Sequence, residues 1–256
     1  MKVLKLIITS MICLLCISIH AQKKYDYVWL SGGFENGSEG RQYFTLDFTK
    51  PINNRFTNYT DLLDVWVAHT NSSISNSNGK LAFATNGCAI LGQDLQIIAE
   101  DFDNEVDDFD CNKGYPVKGS ALLLPHITDT TLFHFINIRL AWGNPSLLVF
   151  NKHLKHALLE STPTGLQLVK INNEIIVEDT LANPVTAVKH GNGRDWWVFT
   201  QKLGGNFYRS LLTPNGFEPA QYQEIGPYYK PFEHGIYMTE GQMCFSPNGK
   251  HKERKL

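Results

Sequence analysis

The chain has 256 residues, of which 43% are hydrophobic and 19% charged, so it is long enough and apolar enough to fold around a sizeable core. A formal net charge of −2, without any strongly basic segment, excludes the usual nucleic-acid-binding classes. Aromatic residues make up 12% of the chain, with 20 glycines and 11 prolines, and this mixture favours an all-β fold with many turns.

The first 21 residues have the pattern of a signal peptide. Two lysines precede an almost wholly apolar stretch over residues 6–19, and Ala21 supplies a small residue before a cleavage point at Gln22. The apolar stretch is short for a membrane span, which needs about 20 residues, so a membrane anchor is the weaker alternative. We therefore expect an exported protein with no membrane span after cleavage.

The cysteines agree with export. Cys13 and Cys16 would leave with the signal peptide; cleavage at either of them, as in a lipoprotein, is disfavoured by the bulky residues that precede them. Three cysteines remain. In an oxidising compartment Cys88 and Cys111, which close a short loop, are the natural disulfide pair. Cys244 lies in a strand-like segment and is expected to be a buried thiol.

From residue 25 onward, short runs with alternating apolar and polar residues are separated by turn residues. Only residues 58–69 and 151–160 have patterns that could hold a few helical turns. Asn-Gly pairs recur between the runs, at residues 36, 78, 192, 215 and 248, and each predicts a tight hairpin; a further hairpin is expected over 126–135. A unit of roughly 40 to 60 residues repeats four or five times, the period of propeller blades.

The segment GNGRDWWVF, residues 191–199, combines a turn with the start of a strand. Because successive side chains of a strand point to opposite faces, Trp196 and Trp197 are expected to serve opposite sides of the sheet. Packing between blades is the favoured interpretation of the pair. The alternative is that one of them forms a platform for a sugar ring or a peptide.

An acidic stretch, EDFDNEVDDFD, spans residues 100–110. The favoured interpretation is a solvated acidic loop. Hard cations such as Ca²⁺ bind several carboxylate oxygens of a flexible loop, so the alternative is a loose calcium site with these candidate ligands: Asp101, Asp103, Glu105 and Asp107. Val106 stands where an EF-hand loop needs glycine, so that motif is excluded. No metal or other cofactor is required by the sequence.

Other candidate chemistry is weak. His153 and His156 would share one side of a helical turn, as a zinc site could use, but no third ligand is near. Ser120 lacks the glycine of a nucleophile elbow, so no catalytic residue is assigned. A pair of glycosidase carboxylates is recognised only by its separation in space, and Asp47, Asp64 and Asp195 are the candidates for it.

Several segments resemble the secreted β-propeller-like (WD40-like) proteins of Bacteroidota, many of which end in a type IX secretion sorting domain. They cover nearly the whole mature chain: ISNSNGKLAFATNGCAI (74–90), CNKGYPVKGSALLLP (111–125), TAVKHGNGRDWWVF (186–199), LLTPNG (211–216) and GQMCFSPNGK (241–250). The resemblance implies an extracellular or surface-attached propeller without an assigned activity. Such proteins continue well beyond the last of these segments.

These observations predict an incomplete β-propeller-like domain over residues 22–250, followed by a basic tail, HKERKL, over 251–256 that is unlike a strand. The expected function is non-catalytic binding or scaffolding at the cell envelope or surface, with an envelope protein or a glycan as partner. The periplasm is the expected location if the sorting domain is truly absent. A carbohydrate-active propeller enzyme, glycosidase-like or lyase-like, and a truncated fragment without independent function are the alternatives.

Overall fold

A computed structural model describes the protein over residues 24–35, 41–60, 65–67, 70–100, 114–115, 118–143, 148–162, 167–225, 242–245 and 252–255. Apart from one short 3-10 turn at Ile52–Asn54, the regular structure of these residues consists of antiparallel strands. The all-β prediction is confirmed. The predicted signal peptide lies outside the described residues.

The first sheet is a three-stranded meander, in the order β1 (Val28–Glu35), β2 (Arg41–Asp47) and β3 (Phe56–Thr60). A bulge in β1 between Gly32 and Phe34 bends the strand. Gly32 has a φ of +117°, and a Cβ there would lie 2.4 Å from the carbonyl oxygen of Gln42. Only glycine allows this close approach of β1 to β2.

The second sheet is a four-stranded meander, in the order β4 (Ser72–Ser75), β5 (Leu81–Thr85), β6 (Ile90–Leu91) and β7 (Ile97–Ala99). The predicted Asn78-Gly79 turn joins β4 to β5. The Asn76 side chain accepts the backbone N–H groups of Asn78 and Lys80, which fixes the turn. Gly79 supplies the positive φ, at +85°.

The third sheet has eight strands: β8 (Ala121–Pro125), β9 (Leu132–Gly143), β10 (Leu148–Ser161), β11 (Gln167–Lys189), β12 (Trp196–Lys202), β13 (Phe207–Thr213), β14 (Gly216–Phe217) and β15 (Gln221–Gln223). Strands β8 to β14 pair in chain order, and β15 also pairs with β13. The hairpins predicted at 126–135, at Asn192-Gly193 and at Asn215-Gly216 are all present. A separate hairpin pairs β16 (Gln242–Phe245) with β17 (Lys252–Lys255).

The large sheet curls back towards its own beginning. The backbone N–H of Val185, in β11, donates to the carbonyl of Gly119, just before β8, at 2.9 Å. Gly119 has a φ of +72°, and a Cβ there would lie 2.8 Å from the Cβ of Pro184, so glycine permits the contact. Among the described strands no sheet closes on itself, and a propeller is not distinguished from other all-β architectures.

The two faces of β9 and β10 belong to two different cores. Phe133 and Phe135 pack, together with Leu123 and Leu159, against Ile74 and Phe83 of the second sheet. The opposite face lies inside the curl of the large sheet, where the buried residues are Leu124, Ile136, Ile138, Leu154, Val177, Leu181, Val185, Val198 and Leu212. A third cluster joins the first sheet to the second through Leu30, Tyr43, Val65, Val67, Ala84, Ala89 and Leu91.

Three local predictions were wrong. Residues 151–160 form part of β10 rather than helical turns, and residues 58–60 of the other helical candidate belong to β3. Cys244 lies in the predicted strand but is exposed. The basic tail was expected to be unlike a strand, but Lys252–Lys255 forms β17, which pairs with β16.

Candidate functional site

A cleft of about 420 Å³ opens beside β8, the edge strand of the large sheet. Most of its wall is apolar: Ile74, Leu123, Leu124, Pro125, Ile127 and Trp196. A few polar groups complete the lining, namely Tyr25, Asp26, His126 and Lys189. Ligand sites commonly have this volume and this combination of an apolar wall with few polar groups.

The curl of the large sheet brings Trp196 to this cleft, although β8 and β12 are not neighbouring strands. Lys189 is the register partner of Trp196 across the β11–β12 hairpin, and its ammonium lies 3.9 Å from the centroid of the indole ring. The same ammonium donates to the carbonyl of Arg194 at 3.0 Å. Lys189 therefore positions the indole through a cation–π contact and is itself anchored to the turn.

The turn that precedes the two tryptophans is held by Asp195. Its carboxylate accepts a bond of 2.7 Å from Arg194 Nε and another of 2.7 Å from the Asn192 side-chain amide. The hydrogen bond from Arg194 is the main reason that the pKa of Asp195 falls to about 2. The GNGRD sequence thus builds a rigid, charged turn next to the cleft.

Trp196 and Trp197 serve opposite faces of β12, as predicted. Trp196 packs against the core inside the curl, and its Nε1 is buried without a hydrogen-bond partner among the described residues. Trp197 lies on the other face, where its ring is 5.5 Å from that of His190 and 5.1 Å from the Arg209 guanidinium. Trp196 combines the packing role with a place in the cleft wall, whereas Trp197 does not line this cleft.

This difference predicts unequal costs of truncation. We expect Trp196→Ala to lower the free energy of unfolding by about 3 kcal/mol, because a large ring is lost from the core. Trp197→Ala, which removes contacts with surface side chains, should lower it by about 1 kcal/mol. Urea unfolding of the two variants, followed by circular dichroism, measures both values. Equal losses would contradict the assignment of Trp196 to the core.

A row of histidines runs from the cleft to the surface. The ring of His126, in the cleft wall, stacks on that of His134 with 5.0 Å between centroids. His134 Nδ1 lies 2.8 Å from His156 Nε2, and His156 Nδ1 lies 3.2 Å from a carboxylate oxygen of Glu174. Three distant parts of the chain, around residues 126–134, 156 and 174, supply this row.

Burial is the main reason that the pKa of His134 falls to about 3, and the neighbouring His156 and His126 contribute to this lowering. Burial also lowers the pKa of His156, against the opposing effect of Glu174. With both rings neutral, His156 donates to Glu174 and accepts from His134. His134 Nε2 is then an acceptor, and it is buried without a partner among the described residues.

The structure separates the two histidines that the sequence suggested as a zinc pair. His153 pairs with Arg139 and His156 with Ile136, on opposite faces of β10. No group of three His, Cys, Asp or Glu side chains within the described part of the chain is arranged to hold a metal ion. The prediction that His153 and His156 share one side of a helical turn is therefore wrong. The four calcium candidates Asp101, Asp103, Glu105 and Asp107 lie outside the described residues.

The candidate carboxylates of an enzyme have local structural partners. Asp47 accepts from the backbone and the hydroxyl of Thr49 at the end of β2, at 2.9 and 2.6 Å, and Asp195 holds its own turn. Burial acts to raise the pKa of Asp47, but the hydrogen bonds from Thr49 and the neighbouring Lys50 together outweigh it, so the pKa is lowered. A general acid of a glycosidase needs a raised pKa, and neither residue has one. Asp64 lies outside the described residues.

Two of the segments that carry the family resemblance contact each other. The backbone N–H of Tyr115 donates to the carbonyl of Asn86 at 3.1 Å, and a Cβ on Gly87 would lie 3.0 Å from the Tyr115 ring. Cys88 is fully buried beside this contact, while Cys111 lies outside the described residues. The Cys88–Cys111 bridge stays a prediction, and the proximity of Tyr115 to Asn86 supports it.

No protein-family model, curated protein or solved structure matches this chain. Within the described residues there is also no helix that is long and apolar enough to cross a membrane.

Proposed function

We propose that the protein is an exported, non-catalytic binding protein of the cell envelope or surface, and that the cleft beside β8 is its ligand site. The observation that carries the proposal is the cleft itself, about 420 Å³ in volume, with a mainly apolar wall and four polar residues. The Trp196 indole ring forms part of this wall, and its buried N–H lacks a partner among the described residues.

The lining favours a peptide segment over a glycan. Sugar sites usually offer an open aromatic face, but one face of the Trp196 ring is covered by Lys189 and the residue also packs against the core. Aliphatic side chains and a proline make up most of the wall, which suits an apolar side chain of an envelope protein. Asp26 and Lys189 provide one charge of each sign for the flanking backbone or side chains.

We further propose that the meanders are blades of an incomplete propeller of four to five blades. The second sheet, β4 to β7, has the four antiparallel strands of one blade in chain order. The carbohydrate-active enzyme and the fragment without function remain the competing hypotheses. The carboxylates of Asp47 and Asp195 bond to Thr49 and Arg194 and give the enzyme no support.

Filling the cleft should weaken ligand binding without unfolding the protein. Ile127 is half-buried in the cleft wall, and Ile127→Trp would add a large ring there. Ile225→Trp is the matched control, because Ile225 is exposed and does not line the cleft. We expect the wild type and the control to bind the same members of peptide and glycan arrays, and Ile127→Trp to lose at least 10-fold in affinity, about 1.4 kcal/mol.

The arrays also distinguish the alternatives. Signals on apolar peptides that Ile127→Trp loses would support the proposal. Binding to glycans alone would show that the ligand is a sugar and not a peptide. Release of shortened oligosaccharides would show that the protein is an enzyme. Equal binding by Ile127→Trp and the wild type would place the ligand site elsewhere.

A further inference from the structure

The face of β9 and β10 that packs on the second sheet is apolar at one end and basic at the other. Beyond Phe135, the alternation of β9 places Asn137 and Arg139 on this face. Their register partners on β10 are Lys155 and His153, respectively. The four residues form one compact group, which we call the basic quartet.

All four members of the basic quartet are buried, and Arg139 is only 1% exposed. Among the described residues, Nε, Nη1 and Nη2 of Arg139 have no hydrogen-bond partner, and neither has Nδ2 of Asn137. The register places Glu178 opposite His153, but Glu178 is exposed and does not bond to the guanidinium. Arg139 and Asn137 thus offer several buried donors to an acceptor.

A guanidinium is charged at every physiological pH and has only donors. Burying such a group without an anion is strongly unfavourable, since neither water nor a counter-charge compensates the lost hydration. A fork of parallel N–H groups matches the two oxygens of a carboxylate, a phosphate or a sulfate. The neighbouring Lys155 adds a second positive charge, and Asn137 adds an amide donor.

We propose that the basic quartet is a binding site for a small oxyanion, with Arg139 as its main ligand. This site is separate from the cleft, whose lining includes none of the four residues. The bound anion stabilises the contact between the large sheet and the second sheet, since the quartet continues the face that packs there.

The test is thermal unfolding of the full chain in phosphate, sulfate, acetate or succinate, each compared with chloride at equal ionic strength. At an anion concentration 100 times the dissociation constant, linkage raises the midpoint of the wild type by about 5 °C or more. Arg139→Met is expected to lose this response. Arg209→Met, which removes an arginine from β13 that bonds to Gln221, is the matched control and should respond like the wild type.

The selectivity of the response identifies the source of the anion. A preference for phosphate and sulfate indicates a tetrahedral ion or a phosphorylated or sulfated ligand, and a preference for acetate and succinate indicates a carboxylate ligand. Arg139→Lys keeps the positive charge but loses the parallel N–H groups of the guanidinium, so anions should raise its unfolding midpoint less than that of the wild type. This variant replaces Arg139→Met in the test if Arg139→Met does not fold. The proposal is overturned if no anion stabilises the wild type beyond chloride, or if the Arg139 variants respond as strongly as it does.

Discussion

Replacing Phe133 with alanine is expected to lower the free energy of unfolding by about 4 kcal/mol, because a large buried ring is lost from the core. Phe133 is fully buried between the large sheet and the second sheet. Its ring meets Phe83 edge-on with 5.3 Å between centroids and Tyr25 with 6.3 Å. The variant would leave a cavity at the contact between the two sheets, and the contacts that the ring makes there would be lost.

Phe56→Ala is the matched control for this experiment. Phe56 is 56% exposed on the first sheet, where its ring stacks on that of Phe44. We expect it to cost about 1 kcal/mol or less. Urea unfolding of both variants measures the two losses of stability. The slope of the free energy of unfolding against urea concentration should stay as in the wild type. If Phe133→Ala were no more costly than Phe56→Ala, the two sheets would not share the core described above.

Acidification should destabilise the protein through His134. The folded-state pKa of this ring is lowered to about 3 from an unfolded value near 6.5, so the unfolded chain takes up a proton first as the pH falls. The stability that the neutral ring contributes is therefore complete above pH 6.5 and is lost progressively down to about pH 3. Between pH 7 and pH 4 the loss is on the order of 3 kcal/mol, and the lowered pKa of His156 acts in the same direction.

His134→Gln tests the source of this acid sensitivity. Glutamine keeps a donor towards His156 but does not titrate, so the variant should lose less stability than the wild type over the same pH range. His190→Gln, at the surface turn before Trp196, provides the control for removal of a histidine. Chemical denaturation at half-unit pH intervals measures the slopes. Identical slopes in the wild type and His134→Gln would show that other groups cause the acid sensitivity.

The sequence predicted the strands and hairpins because their signals are local. Alternating residues mark strands that bury one face, and Asn-Gly pairs mark tight turns, as at Asn78-Gly79 and Asn192-Gly193. The pattern failed at residues 151–160, since β10 buries residues on both faces. A strand that is apolar on both faces loses its alternation and can match a helical spacing.

The candidate sites were harder to predict because they depend on register and curl. Trp196 was singled out by its sequence, but its approach to β8 depends on the contact between Val185 and Gly119. His134 and His156 are 22 residues apart and meet only through the pairing of β9 with β10. Arg139 shows no local signal at all, and its position opposite His153 and its burial are features of the folded structure alone.

The most direct test of the binding proposal is to observe Trp196 during a ligand screen. The chain has five tryptophans, so ¹⁵N-labelled indole groups give few signals, which tryptophan-to-phenylalanine variants can assign. Titration with apolar peptides and with envelope oligosaccharides should shift the Trp196 signal and leave that of Trp197 unchanged, with the peptides effective at lower concentration. A ligand that binds while the Trp196 signal stays in place would contradict the assignment of the cleft as the binding site.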